Sequence, residues 1–231
     1  MATLMAACNN EIPVWVPPTD QVDKWIKLEI PGGQAVYAIA GNIDETLLVT
    51  TQTKAYYTID QGQTWQEARH FGVPVWGLAA QSGLIVALEG QTYDQNFNTY
   101  ATGPARYYTR DYGRSWQSFI ELFGTRDPGI VMPLEIWITN DGILYQIQSN
   151  KNFISPSSFT ESASQIYRLE GDEFKLLDFP FVHILRSLYM DANKRLYVAA
   201  YGGIYDQFSG RLLYNGPESS AVLYISKNPL P

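Results

Sequence analysis

Cysteine occurs once and histidine twice in this 231-residue chain. A lone thiol excludes an intrachain disulfide framework and a thiolate metal cage. The two imidazoles, His70 and His183, stand in different repeats without ligand-spaced neighbours, so no metal site is expected. Lysine and arginine number 16 against 23 acidic residues, giving a net charge of −7. With no basic stripe to compensate locally, nucleic acid and anionic membrane surfaces are excluded as general partners. No apolar run approaches the roughly 18 residues of a spanning helix, and helix-forming runs are scarce. Gly32-Gly33 and Gly202-Gly203 lack the strand-to-helix setting of a phosphate cradle, so no cofactor is expected.

Aromatic residues are abundant, at 14%, with 16 tyrosines and 6 tryptophans. Such side chains suit the wide, half-buried surfaces of strands. Two near-copies of one pattern, Thr58-x-Asp60-x-Gly62-x-Thr64-Trp65 and Thr109-x-Asp111-x-Gly113-x-Ser115-Trp116, each preceded by Tyr-Tyr, stand 51 residues apart. A short carboxylate or hydroxyl accepts backbone N–H groups a few residues on and closes a turn. Gly62 and Gly113 supply the positive φ such a turn needs. Trp65 and Trp116 then fold back across the hairpin and bury apolar surface.

The pattern resembles the Asp-box of sialidase-like and photosystem-assembly-factor-like β-propellers, where it is a structural device at blade turns. The resemblance implies an all-β propeller of four-stranded antiparallel blades. Four cycles of short strands fit it: 36–68, 75–119, 135–177 and 184–214. A period of about 40 to 50 residues with four strands each selects a propeller over a sandwich or barrel. Asp20 to Trp25 keeps the Asp-to-Trp spacing, Gly171 to Phe174 is a decayed copy, and Ser209-Gly210 a remnant. Val14 to Pro17 and Trp25 to Ile30 read as third and outermost strands of a closing blade, and Ala221 to Ser226 as its innermost. The expectation is therefore four complete blades plus a composite or incomplete fifth, within a single domain over 12–231. A fragment of a six- or seven-bladed propeller is the alternative.

A sialidase would need three clustered arginines and a Tyr nucleophile with a Glu partner. Here the arginines are scattered, and Glu11-Ile12-Pro13 stands where the resemblance calls for Arg-Ile-Pro. Asp60 and Asp111 are assigned to turns. A glycosidase using two carboxylates would draw on Glu89, Asp94, Asp141 or Glu135, which no spacing pairs. In propellers the loops between second and third strands share one face with the links between blades. Two of them are long here, Gly90 to Pro104 and Ser149 to Ala163, and two are short, Gln52 to Lys54 and Tyr201-Gly202. Long loops on a rigid scaffold are where function concentrates. Tyr93, Phe97, Tyr100, Phe153 and Phe159 would supply contact area, with Asp94, Asn96, Asn98 and Asn152 orienting a ligand.

The N-terminal tail, 1–11, contains Leu4-Met5-Ala6-Ala7-Cys8, which resembles a bacterial lipobox with Cys8 as the lipidation candidate. Only seven residues precede that cysteine, without a positive n-region. The combined expectation is a noncatalytic binding or assembly propeller of the bacterial cell envelope, recognising a glycan, peptide or protein partner. A carbohydrate-active enzyme and a cytoplasmic or lumenal photosystem-type assembly factor are the alternatives.

Overall fold

The computed structural model describes residues 19–95, 97–139, 142–155, 158–216 and 219–230. Cys8, Val14 to Pro17, Asn96 and Asp141 lie outside the described residues, as does the side chain of Phe153. One helical turn, α1 (Thr19–Val22), contains Asp20, so the Asp20 to Trp25 stretch begins in a helix rather than a repeat turn. It leads into β1 (Trp25–Ile30). The first blade follows with β2 (Val36–Gly41), β3 (Leu47–Thr51), β4 (Lys54–Thr58) and β5 (Gln66–His70), paired in that order. All five residues of β3 are buried, as a strand packed on both faces requires. Its Thr50 hydroxyl accepts Ala38 N–H and donates to the Val75 carbonyl, so the buried hydroxyl is satisfied.

The second blade comprises β6 (Gly77–Gln81), β7 (Leu84–Leu88), β10 (Tyr107–Thr109) and β11 (Gln117–Ser118). Between its second and third strands, residues 90–104 form not a loop but a hairpin of β8 (Gly90–Tyr93) and β9 (Thr99–Thr102). After β11 the chain makes α2 (Phe119–Phe123), where the sequence suggested only a strand end, and returns as β12 (Val131–Pro133), which pairs with β9. The third blade is β13 (Ile136–Ile138), β14 (Leu144–Ser155), β15 (Ser158–Glu170) and β16 (Glu173–Leu176). Its expected loop, 149–163, is an extension of β14 and β15, paired as far as Ser155 with Ser158.

Closure differs from the sequence expectation. β17 (Leu185–Met190) and β18 (Leu196–Ala200) are followed by β19 (Ile204–Tyr205) and β20 (Leu212–Tyr214), which leave the blade and pair only with each other as strands. The third place is taken by β21 (Ala221–Ser226), expected as an innermost strand, and the outermost by β1. Six antiparallel pairs, Trp25 with Ser226 through Ile30 with Ala221, join the two ends of the chain and leave this blade complete. The packing reason is burial: every residue of β21 is buried, whereas β20 holds no fully buried residue.

The result is a five-bladed propeller with four four-stranded blades. The incomplete fifth is the three-stranded sheet of β8, β9 and β12, standing between β6 and β13. Gly77 of β6 lies so close that a Cβ there would meet Ala101 at 2.6 Å, and Leu134 N–H donates to the Thr99 carbonyl at 3.0 Å. Apolar clusters join four of the five neighbouring pairs. Between the fifth sheet and the third blade the described residues form no such cluster.

The two repeated turns are alike in detail. The Asp60 carboxylate accepts the Thr64 N–H at 2.9 Å and the Thr58 and Thr64 hydroxyls at 2.7 and 2.5 Å. Asp111 accepts the same set from Ser115 and Thr109. These donors hold Asp60 down to about 2, and Asp111 is likewise lowered although burial opposes it. Gly62 and Gly113, at φ 83° and 90°, lie where a Cβ would meet Leu28 at 2.7 Å and Leu48 at 2.6 Å. Each turn thus leans on the blade before it. Ser209-Gly210, by contrast, turns the β19–β20 hairpin, not a blade.

Candidate functional site

Three connections between second and third strands are built out from one face: β8–β9, the long ends of β14 and β15, and β19–β20. The last was expected as the short Tyr201-Gly202 loop. The β14–β15 arm stands in the middle. Lys151 Nζ donates to the Phe97 carbonyl at 3.3 Å on one side. On the other, Ala163 N–H donates to the Gly210 carbonyl at 2.7 Å, and Ser162 bridges Arg211. Asp94 closes the tip of the first hairpin by accepting Asn98 N–H at 2.9 Å, Asn98 Nδ2 at 2.8 Å and the Tyr100 hydroxyl at 3.3 Å. This is the side-chain chemistry of an Asx-type turn.

A cavity of about 630 Å³ opens between this tip and the β14 arm. Its walls carry Phe97 and Asn98, then Gln146, Gln148, Ser149 and Lys151 of β14, with Tyr167 and Phe174 behind. Glu135 lies at its base, only 7% exposed, with its Oε1 accepting the Thr99 hydroxyl at 3.0 Å. Burial pushes the Glu135 carboxyl up from the usual carboxylate range, opposed by the charge of Lys151. Lys151 also stands 5.6 Å from the Phe159 ring, a cation–π distance. A second cavity, lined by Asn152, Thr160, Glu161 and Arg211 among others, lies on the other flank of the arm.

Of the sequence candidates, the structure brings Phe97, Asn98 and Glu135 to the first cavity and Asn152 to the second. Tyr93 is exposed beside Gln91, to which its hydroxyl donates at 3.3 Å. Glu89 sits elsewhere, with both carboxylate oxygens on Arg106 Nε at 2.8 and 2.9 Å. Arg106 Nη2 donates to the Phe71 carbonyl, so this pair ties the second blade to the end of the first. Burial raises the Glu89 carboxyl while Arg106 pulls it back. Glu89 is therefore apart from the other two, the Asp94 oxygens are taken by Asn98 and Tyr100, and of the three acids Glu135 alone lines the first cavity, whereas a glycosidase needs two carboxylates at one.

Sequence reasoning did not single out Gln146, Gln148, Ser149, Lys151 and Tyr167. The signal available was an amide pair at strand spacing, Gln146 and Gln148, on a segment too polar for a packed blade. Near the axis of the same face, Tyr37 meets Trp76 edge-on at 5.0 Å. Arg186 pairs with Glu161 at 3.0 Å and lies 5.2 Å from the Tyr201 ring. Among the described residues no group of His, Cys, Asp and Glu could hold a metal ion, and no helix is long and apolar enough to cross a membrane.

No family model matches the chain, and no curated protein matches it in sequence. Among solved structures it is similar to YCF48 bound to D1 peptide, at 9% identity over 88% of this chain and 96% of that chain, with a TM-score of 0.35. It is also similar to selenomethionine-substituted virginiamycin B lyase from Staphylococcus aureus, at 13% identity over 76% and 81%, with a TM-score of 0.30. The N-terminal domain of Nup159 aligns at 14% identity over 80% and 64%, with a TM-score of 0.26. At these identities and scores the likenesses carry no information on ligand or activity.

Proposed function

We propose that this protein is a noncatalytic recognition propeller that holds a segment of a partner protein on the face bearing the three built-out connections. The observation that supports this reading is the cavity of about 630 Å³ between the fifth sheet and the third blade. An apolar cluster spans each of the other junctions, the one beside the second cavity included, and among the described residues none spans the junction where the first cavity opens. This one presents amides, a hydroxyl, an ammonium and aromatic rings to a ligand-sized space, the mix that fixes and orients a bound segment. Catalysis is disfavoured because the candidate carboxylates are separately engaged.

Peptide and glycan arrays probed with the purified protein test the reading. The expected result is peptide binding that is lost when Gln148→Trp fills the cavity, with the melting temperature unchanged. Glycan binding or hydrolysis that ignores the Trp substitution would overturn it. Presentation at a cell envelope rests on the Leu4 to Cys8 segment alone. Intact mass of the membrane-extracted protein, showing or lacking a diacylglyceryl increment on Cys8, decides that part.

A further inference from the structure

Gln146, Ile147, Gln148, Ser149 and Lys151 of β14 all line the cavity. Successive side chains of a strand point to opposite faces, so Gln146 and Gln148, with Tyr167 of β15 and Phe174 of β16, set this space against one face of the third blade, while Ile147, Ser149 and Lys151 bring it round to the edge of β14 away from β15. On that side β13 pairs with Leu144, Tyr145 and Gln146, and the Ile147 N–H donated to the Glu135 carbonyl at 2.8 Å is the last rung. From Gln148 to Ser155 this edge has no strand partner among the described residues, while the opposite edge is paired with β15. An unpaired edge is a template for an added strand. At the usual rise it extends about 25 Å.

Glu135 marks the point where β13 leaves β14. Lys151 is close enough for its charge to oppose the burial of Glu135, but its Nζ donates to the Phe97 carbonyl and it forms no ion pair with that carboxylate. Asp94, on the facing tip, adds a further negative charge beside Asn98. Among the described residues Glu135 makes no ion pair, its hydrogen bond being to the Thr99 hydroxyl. A buried carboxylate in this condition gains most from an arriving cation. On the same wall Ser149 Oγ is buried without a hydrogen-bond partner.

Resting on the proposal that this face holds a partner segment, we infer that the β14 edge takes an extended basic peptide as an added strand. A lysine or arginine side chain of that segment enters the cavity, pairs with Glu135 and bonds Ser149 Oγ. The added strand continues the line of β13, so its backbone groups meet those β14 leaves open. Specificity then comes from the one charged pair within the cavity.

Synthetic peptides of extended sequence with one central lysine or arginine, titrated by fluorescence anisotropy, test this. Replacing the central residue by norleucine, or Glu135 by Gln in the protein, should weaken binding at least about ten-fold each, and the two together no further than either alone. N-methylation of the peptide backbone should abolish binding at alternate positions and leave it intact at the intervening ones. If norleucine peptides bind as well, or methylation is tolerated at every position, the inference is wrong while recognition on this face survives. If no peptide of any composition binds, both fall.

Discussion

His183 gives this protein a stability that depends on pH in a calculable way. It lies in the link from β16 to β17, with Nδ1 3.0 Å from the Tyr201 carbonyl and Nε2 2.8 Å from the Tyr224 hydroxyl. A carbonyl only accepts, so Nδ1 carries the proton and Nε2 accepts the Tyr224 O–H, which is the neutral tautomer. The Tyr205 ring stands edge-on at 5.0 Å. Desolvation lowers the His183 pKa to about 4, with Lys27 adding to the effect and the Tyr201 carbonyl opposing it. In the unfolded chain the value is about 6.5. Because the folded value is the lower one, the stabilisation is complete above pH 6.5 and is lost as pH falls, until the folded imidazole itself protonates near 4. The slope approaches about 1.4 kcal/mol per pH unit, so between pH 7 and 4.5 the loss is about 2.5 kcal/mol. Urea unfolding of the wild type and His183→Gln across that range measures it. Glu89, Glu135 and the turn aspartates titrate in both proteins, so the difference between the two curves isolates His183. The gap should close by about 2.5 kcal/mol on acidification. Parallel curves, or an imidazole titrating near 6.5 by NMR, would refute the reasoning.

Asp191 and Arg195 are both buried, with Arg195 Nε on Asp191 at 2.8 Å and its guanidinium 2.6 Å from Asp44 of the neighbouring blade. Asp191→Ala leaves Arg195 only its half-exposed Asp44 partner and removes the acceptor of the Arg195 N–H and the Tyr197 hydroxyl, and should cost about 3 kcal/mol, lowering the melting temperature by roughly 10 °C in calorimetry. Gly113→Ala, at φ 90° and with its new Cβ 2.6 Å from Leu48, should destabilise by about 1–3 kcal/mol in urea unfolding. The Asp60 carboxyl should remain ionised down to about pH 2 by NMR, and its contribution to the turn should be present above pH 3.8 and fade below it. Arg106→Met leaves the Glu89 carboxylate buried without its partner. Its pKa should rise further, and stability near pH 7 should fall by about 3 kcal/mol relative to the wild type.

The turns were the most legible part of the chain, because their chemistry is local. Thr58, Asp60, Gly62 and Thr64 lie within seven residues, and the side-chain bonds that close the turn are made among them. Even the Tyr-Tyr and Trp-Gln flanks repeat structurally: Tyr57 donates to Gln66 and Tyr108 to Gln117, the same pair one repeat apart. The candidate site was legible only in part. Composition drew notice to 90–104 and 149–163, but not to their being a sheet and a strand extension. Glu135 was visible only as one acid among several.

By itself the sequence determined an all-β chain, the strands of three blades and the turns between them, since alternation and turn chemistry act over a few residues. Tertiary structure alone decided which strands close the ring, where the incomplete blade stands and what faces the cavity. Ala221 to Ser226 and Ile204 to Tyr214 could each have followed β18. The fully buried segment took the place because a blade's third strand is packed on both faces. The fifth sheet exists because β12 returns across about thirty residues to meet β9. Pairings at such separation are chosen by burial and register across the whole fold, and no local pattern encodes them.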